Sequence, residues 1–267
     1  MRHGLYLAPF GELADVAVLG DLAAQAEDAG FDGVFLWDHV LRPDQAMAVA
    51  DPWIALAVIA MRTRRVRLGA LVTPLARRRA QRVARETTTL DHLSGGRLVV
   101  GVGLGVDSGG ELTRFGELVD ERARAAALDE ALDVLTGLWS GEPVHHHGVH
   151  VHVDGVRFAP VPRQRPRIPI WVAARTQRVG PMARAARFDG LCPETTIEGL
   201  AAMVADVAAH RGGLAGFDVV ARGAPGDDPA PWAAAGATWW LTTLPVRSSA
   251  AAVRAVIAAG PPRGSPA

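Results

Sequence analysis

Cysteine is almost absent from the chain: Cys192 is the only one among 267 residues, so no disulfide can form within it. A surplus of charge is also missing, because 28 basic side chains balance 28 acidic ones, which argues against a general nucleic-acid-binding protein. The longest apolar run, 52–61, is too short to cross a bilayer, and the N-terminus lacks the apolar core of a signal peptide. We therefore expect a cytoplasmic protein whose partners include neither nucleic acid nor a membrane.

The chain instead alternates short apolar segments with longer stretches of helical periodicity. The apolar segments end in turn residues and predict eight strands, at 5–8, 34–37, 66–72, 98–104, 168–173, 190–192, 217–221 and 239–242. Alternation of strands and helices with short connections favours a parallel α/β sheet. An open doubly wound sheet is the alternative, but eight successive units favour closure into a (β/α)₈ TIM barrel. We expect one domain over 1–260 and a flexible C-terminal tail over 261–267.

One insertion interrupts this alternation before the fifth strand. The segments 145–153 and 156–159 flank Asp154-Gly155, a strong hairpin signal, and predict a β-hairpin. Five histidines fall in the hairpin: His145, His146, His147, His150 and His152. No cysteine or carboxylate nearby completes a tight ligand set, so we expect a solvent-facing strand and no metal site.

A second local feature bears on assembly. Asp51-Pro52 is an N-cap followed by proline at the first helical position, and the helix that follows is apolar on every side. Such a helix must be covered on both faces. A second subunit would supply the outer cover, so we expect a homodimer.

The strongest candidate for chemistry is Asp38-His39, at the end of the second strand. In a TIM barrel the C-terminal ends of the strands form the catalytic face. An imidazole there, next to a carboxylate, is a candidate general acid or base. The alternative is a capping aspartate and a histidine that is simply hydrogen-bonded in a loop.

Two further strand ends are candidates for ligand contact. Ala173, Ala174, Arg175 and Thr176 follow the fifth strand and lead into a helix, where backbone N–H groups and Arg175 favour an anion. A solvated arginine is the alternative. In the fourth strand, glycines alternate at 101, 103 and 105, which often marks close approach of a ligand or another backbone. They lack the spacing of a nucleotide-binding loop.

Several segments together resemble the bacterial luciferase-like superfamily of flavin- and deazaflavin-dependent oxidoreductases. They are 26–39 (AEDAGFDGVFLWDH), 68–75 (LGALVTPL), 89–97 (TLDHLSGGR) with the glycine-rich strand after it, 164–173 (QRPRIPIWVA) and 185–190 (AARFDG). Their order and spacing match over roughly the first two-thirds of the chain. The motifs are specific as a set rather than singly.

The resemblance implies a TIM barrel with a flavin-type ring above the strand ends. His39, with Asp38 beside it, matches the catalytic histidine of such enzymes. The implied cofactor contacts are Leu71, Val72, Thr73 and Gly103 around the ring, with a non-prolyl cis peptide at Leu71-Val72, and Ala173, Ala174, Arg175 and Thr176 at the phosphate. We expect the substrate pocket to be apolar and aromatic, which suits a hydrophobic or planar substrate, with walls from Tyr6, Pro9, Phe10, Trp37 and Trp240.

The resemblance allows three interpretations of the chemistry, of which we expect the first and keep the other two as alternatives. The first is a two-component monooxygenase that uses O₂ and reduced FMN from a separate flavin reductase. The second is a dehydrogenase or reductase that transfers a hydride with the deazaflavin coenzyme F420. The third is a flavin-binding barrel without activity.

The chain also departs from the family pattern. Leu104 stands where light-emitting members carry an arginine, and Val106 lies about where deazaflavin-dependent sugar-phosphate dehydrogenases carry an acid. The part after the fifth strand is too short for the usual lid insertion. We expect a more open pocket, or one completed by a partner subunit.

Overall fold

The structure is a computed structural model that describes residues 1–262. Nine parallel strands form its main sheet: β1 (Arg2–Leu7), β2 (Gly33–Leu36), β3 (Arg67–Ala70), β4 (Thr73–Pro74), β5 (Val100–Gly103), β8 (Ile170–Ala174), β9 (Gly190–Pro193), β10 (Asp218–Gly223) and β11 (Trp239–Thr243). Two more strands, β6 (Val144–His147) and β7 (His152–Val156), form a separate antiparallel pair. The predicted tail, 261–267, lies outside the described residues from 263 onward.

The sheet runs in the order β3-β2-β1-β11-β10-β9-β8-β5-β4. β3 and β4 are consecutive parts of one barrel position, interrupted between Leu71 and Val72, so the nine strands fill eight positions. A parallel bridge between Leu68 and Leu98 joins β3 to the segment entering β5 and brings the two edges together. The predicted TIM-barrel fold is confirmed.

Eight α-helices accompany the strands within residues 1–262: α1 (Val16–Asp28), α2 (Pro52–Arg62), α3 (Ala80–Ser94), α4 (Glu121–Ser140), α5 (Val179–Ala186), α6 (Ile197–Arg211), α7 (Ala230–Ala234) and α8 (Ala250–Ala259). Their starts follow local chemistry. Asp51, for example, accepts hydrogen bonds from the N–H groups of Trp53 and Ile54, both at 2.9 Å, which satisfies donors that α2 cannot pair itself. None of the described helices is both long and apolar enough to cross a membrane.

The barrel interior is filled by aromatic rings. Phe35, Trp171 and Trp239 are fully buried, with ring centroids 5.2 to 5.7 Å apart. Large rings at this level leave no room for a ligand there, so any cavity must lie above them. Gly101 shows how tightly the third and fourth barrel positions approach: a Cβ on it would be 2.5 Å from the carbonyl oxygen of Ala70. The glycine in β5 is therefore required by a neighbouring backbone.

The inserted pair β6–β7 lies where a hairpin was predicted, but the turn is elsewhere. The connection spans 148–151, and the Glu130 carboxylate on α4 accepts three backbone N–H groups from it, at 2.8 to 3.0 Å. Asp154 and Gly155 lie inside β7, at a register shift, where Gly155 has a φ of +65°. The predicted turn at Asp154-Gly155 is therefore wrong. The positive φ of Gly155 belongs to a β-bulge within β7, and a bulge favours glycine for the same reason as a tight turn does.

The outer face of α2 is uncovered, as its apolar sequence suggested. Ile54 and Met61 are 63% and 60% exposed, and Leu93 on the adjacent α3 is 43% exposed. Ile54 and Leu93 line one shallow surface groove, and Met61 lies two helical turns from Ile54 on the same side of α2; we call these three side chains the α2–α3 face. Contiguous apolar surface of this kind often marks an interaction site.

Candidate active site

A cavity of about 660 Å³ opens at the C-terminal ends of the barrel strands, within the size range of small-molecule sites. Its lining comes from nearly every strand end around the barrel. The residues are Tyr6, Trp37, Asp38, His39, Leu71, Val72, Pro74, Gly103, Leu104, Gly105, Val106, Asp107, Glu111, Glu121, Arg124, Ala173, Ala174, Arg175, Thr176, Arg178, Pro181, Arg184, Cys192, Glu194 and Arg222. The catalytic face expected for a TIM barrel is thus where the cavity lies.

His39 is paired with a carboxylate that the sequence did not indicate. Its Nδ1 is 2.6 Å from Oε1 of Glu111, a residue in the loop after β5. The imidazole is 15% exposed and the Glu111 side chain 2% exposed. An ionised carboxylate can only accept, so the hydrogen of this bond belongs to Nδ1 of His39. Nε2 is then the nitrogen that is left for a ligand in the cavity.

Glu111 is held by three donors. Besides His39, Nη1 of Arg77 lies 2.8 Å from its Oε2, and the N–H of Val40 donates to the same oxygen at 3.1 Å. Burial raises the pKa of Glu111, but the bonds from His39, Arg77 and Val40 outweigh it and hold this pKa below its ordinary value. Glu111 is therefore a carboxylate at neutral pH.

Asp38 does not bond to His39. Its carboxylate is buried and points toward other groups: Nη2 of Arg77 at 3.2 Å, Nε1 of Trp53 at 3.3 Å and Nη1 of Arg78 at 3.5 Å. Burial raises the pKa of Asp38, and the two arginines oppose that shift only in part. The neighbour in sequence is thus a structural partner of Arg77, while Glu111 is the partner of His39.

Sequence reasoning missed Glu111 because its loop has no periodicity and lies 72 residues from His39. Asp107, next to Val106, accepts the backbone N–H groups of Leu112 and Thr113 at 2.7 and 3.1 Å. Glu111, four residues further on, is the acid that the turn before α4 brings to the end of the second strand. The only sequence signal was an acidic residue after the glycine-rich strand, and Asp107, Glu111 and Glu117 all fit that description.

An apolar strip crosses one side of the cavity. It consists of Leu71, Val72, Gly103 and Ala173, from the third, fourth and fifth barrel positions. The Leu71-Val72 peptide is cis, as the resemblance implied. The phenol of Tyr6 donates a hydrogen bond to the carbonyl of Leu71, which ties the strip to β1.

Cationic side chains collect at the other end of the cavity. Arg175 and Thr176 follow β8. Arg178 is the residue immediately before α5, and its side chain makes no capping hydrogen bond to the helix. Nε of Arg175 lies 2.9 Å from Glu194, which also pairs with Arg222 at 3.2 Å. Within residues 1–262, the Arg178 side chain has no ion-pair partner. This end of the cavity suits an anionic group.

Four expected site residues lie outside the lining. Pro9 and Phe10 are buried behind it, and the Phe10 ring lies edge-on to His39 at 6.0 Å. Thr73 is fully buried in β4. Trp240 faces outward and packs on Trp232 at 6.2 Å, because alternation in β11 directs Trp239 into the barrel instead.

The histidines of the inserted hairpin make separate pairwise contacts and do not form one cluster. Nδ1 of His147 lies 3.1 Å from Nδ1 of His152, and Nδ1 of His145 lies 3.0 Å from Asp154. Across the part of the chain that the structure describes, no three His, Cys, Asp or Glu side chains are close enough to hold a metal ion.

The chain belongs to the luciferase-like monooxygenase family, because the model of that family matches residues 4–259. Among curated proteins, the F420-dependent glucose-6-phosphate dehydrogenase of Nakamurella multipartita is 35% identical over 160 residues, covering 58% of this chain and 46% of the relative. The enzyme of the same name from Microbacterium testaceum is 36% identical over 168 residues, covering 61% of this chain and 46% of the relative. The chain spans about half the length of the curated relatives it matches.

Solved structures agree on the fold. The coenzyme F420-dependent tetrahydromethanopterin reductase of Methanopyrus kandleri superposes with a TM-score of 0.78 at 18% identity, covering 96% of this chain and 97% of that one. The monooxygenase RslO1 of Streptomyces bottropensis superposes with a TM-score of 0.74 at 22% identity, covering 97% and 98%. The same fold thus occurs in an F420-dependent reductase and in a monooxygenase.

Proposed function

We propose that the protein transfers a hydride between the deazaflavin coenzyme F420 and a small organic substrate with a hydroxyl or carbonyl group. The observation that carries this proposal is the His39–Glu111 pair. Nδ1 of His39 donates a hydrogen bond to Glu111, with 2.6 Å between nitrogen and oxygen, which leaves Nε2 of His39 as a base beside the cavity. The curated relatives named for F420 support the choice of cofactor.

The residues present fit such a cofactor. The strip of Leu71, Val72, Gly103 and Ala173 offers an apolar surface for a flat ring system. Gly103 cannot be enlarged without narrowing it, since a Cβ there would be 2.6 Å from Cγ2 of Val72. Arg178 and the uncapped start of α5 suit the anionic tail of the cofactor.

His39 would manage the proton of the substrate. When bound, the deazaflavin supplies a ring carbon that accepts or donates a hydride. In the oxidising direction, Nε2 of His39 takes the hydroxyl proton of the substrate and the hydroxyl becomes a carbonyl. Glu111 stabilises the imidazolium that results, and the proton returns in the reducing direction. A positioned base of this kind contributes about 10²- to 10⁴-fold in rate.

A second candidate is a two-component monooxygenase that uses reduced FMN from a separate flavin reductase. The strip and the walls at Tyr6 and Trp37 favour it to the same degree, because apolar contacts fit the ring of FMN as well as that of a deazaflavin. These aromatic walls also suit a hydrophobic or planar substrate.

We also propose that the protein is a homodimer that buries the α2–α3 face of Ile54, Met61 and Leu93. Isologous contact would cover the same apolar surface on both copies. This is the cover that the all-apolar α2 requires.

The deciding experiment is an anaerobic titration of the purified protein with reduced FMN and, separately, with reduced F420. Binding is measured by the quenching of tryptophan fluorescence. Tight binding of F420 alone, retained in a His39→Gln variant that no longer oxidises or reduces substrates, is the expected result. Tight binding of FMN alone, followed by oxygen uptake with substrate, would move the assignment to the monooxygenase. Failure to bind either cofactor in any redox state would indicate an inactive barrel.

A further inference from the structure

Arg77 lies between the two carboxylates of the site and does not line the cavity. It belongs to a short 3₁₀ turn that follows β4, and its side chain is 7% exposed. Nη1 is 2.8 Å from Oε2 of Glu111, and Nη2 is 3.2 Å from Oδ1 of Asp38. One guanidinium thus joins the end of the second strand to the loop after β5.

The charges around His39 balance only because of this arginine. Two buried carboxylates, Asp38 and Glu111, lie beside the imidazole. Arg77 faces both of them, and Arg78 lies 3.5 Å from Oδ2 of Asp38. With a neutral imidazole these four groups sum to zero.

Other charged groups lie further out. From α2, Asp51 also acts on Asp38. From the loop after β2, Arg42 stacks on Phe10 and Trp37, with its Cζ 5.1 and 5.9 Å from the two ring centroids. Asp51 is exposed and already caps α2, so these outer groups are better screened by water than the buried four.

We propose that Arg77 is the positioning residue of the His39 base: its guanidinium holds Glu111 against Nδ1 and offsets the charge of Asp38, so that Nε2 is the nitrogen that faces the cavity. This inference rests on the proposed role of His39 as a base.

Loss of the Arg77 charge should change the pH at which the His39 imidazole takes up its second proton. If Arg77 balances charge, its replacement by methionine leaves two carboxylates near one imidazole, and His39 takes up its second proton at higher pH. Arg77 is linked to the imidazole through Glu111 by two hydrogen bonds, so loss of its positive charge should move the midpoint up by at least about one pH unit. If Arg77 does not act on the imidazole, Glu111 stays bonded to Nδ1 of His39 and to the N–H of Val40, and the midpoint stays in place.

The measurement is an NMR titration of the imidazole signals of the full chain, with those of His39 assigned by their loss in His39→Gln. Arg77→Met should move the midpoint up by at least about one pH unit and Arg77→Lys by less, since lysine keeps the charge without the fork. Arg82→Met is the matched control, because Arg82 is exposed on α3 and has no ion pair among residues 1–262. It should leave the midpoint in place.

Asp38→Asn supplies a test that does not depend on how well Arg77→Met folds. It removes one negative charge while Arg77 stays, so the midpoint should move down. A midpoint that falls or stays fixed in folded Arg77→Met or, if that variant does not fold, one that fails to fall in Asp38→Asn, overturns the inference. The titration uses no cofactor or substrate, so a failure of the proposed function appears separately, as absent F420 binding.

Discussion

Replacement of Glu111 by glutamine tests whether the His39 pair is the chemical centre of the site. The carboxylate is 2% exposed and accepts from His39 at 2.6 Å and from Arg77 at 2.8 Å. Glutamine keeps one carbonyl oxygen and presents N–H donors where the second oxygen was. It therefore cannot accept from both His39 and Arg77, and one donor faces another.

The expected cost follows from burial. Removal of one partner of a buried pair costs about 3–5 kcal/mol, and the oxygen that glutamine keeps should lower this to about 2–3 kcal/mol. For a chain of this size each kcal/mol moves Tm by about 2–4 °C, so Tm should fall by roughly 5–10 °C. Turnover should fall by about 10²–10⁴-fold while F420 still binds, because the apolar strip is untouched.

Urea unfolding at pH 7 measures the first effect and steady-state turnover the second. Glu117→Gln is the matched control: Glu117 lies in the same loop and makes no ion pair or side-chain hydrogen bond within residues 1–262. Its stability and turnover should match the parent. Turnover within twofold of the parent in Glu111→Gln would refute the assignment of His39 as a base backed by this carboxylate.

Three further outcomes are expected. Burial raises the pKa of Cys192 to about 11, so alkylation by iodoacetamide at pH 8 should be roughly a hundredfold slower than for an ordinary thiol and slower still with cofactor bound; reaction at the ordinary rate would contradict this. Burial raises the pKa of Glu27, but hydrogen bonds from three backbone N–H groups of 64–66 outweigh burial and hold this pKa below its ordinary value. The stabilisation from the Glu27 carboxylate is therefore present above about pH 4.5 and is lost as the pH falls through the lower pKa of the folded state. Glu27→Gln should flatten the acid limb of a Tm–pH curve, and an unchanged limb would contradict this prediction. Ile54→Asp should give a monomer in light scattering while Val149→Asp, on the exposed hairpin, should not.

The fold was predictable because its signals are periodic and local. Apolar runs of three to seven residues located all eight barrel positions, and the Asp51-Pro52 pair located the start of α2. The cis peptide at Leu71-Val72 was anticipated only through family resemblance. Periodicity alone predicted an uninterrupted third strand, where the structure has β3 and β4.

Turn chemistry was less informative than strand chemistry. Asp154-Gly155 supplies the positive φ of a bulge as readily as that of a tight turn, and nothing local distinguishes the two. What decides is Glu130, on a helix that precedes the hairpin, whose carboxylate accepts three N–H groups from 149–151. A long-range contact of this kind leaves no pattern in the segment that it orders.

The candidate site divides along the same line. His39 and Ala173, at strand ends, line the cavity where the alternation of strands and helices predicted, and Val72 lines it where the family resemblance implied. We expected Trp240 in the pocket, but neighbouring strand residues face opposite ways and the structure turns Trp239 to the interior instead. That choice depends on the register of β11 against β1 and β10, which no single strand specifies.

The aromatic filling of the barrel explains why the chemistry depends on loops. Phe35, Trp171 and Trp239 fill the interior below the cavity, so strand residues supply only the walls of the cavity and its apolar strip. The charged partners of the strand-end His39 must then come from connections, and Glu111 and Arg77 both do. Connections carry no periodicity, so the groups that set the proton on His39 are those a sequence pattern cannot locate. Their assignment rests on a buried guanidinium that faces two carboxylates, which only the folded chain brings together.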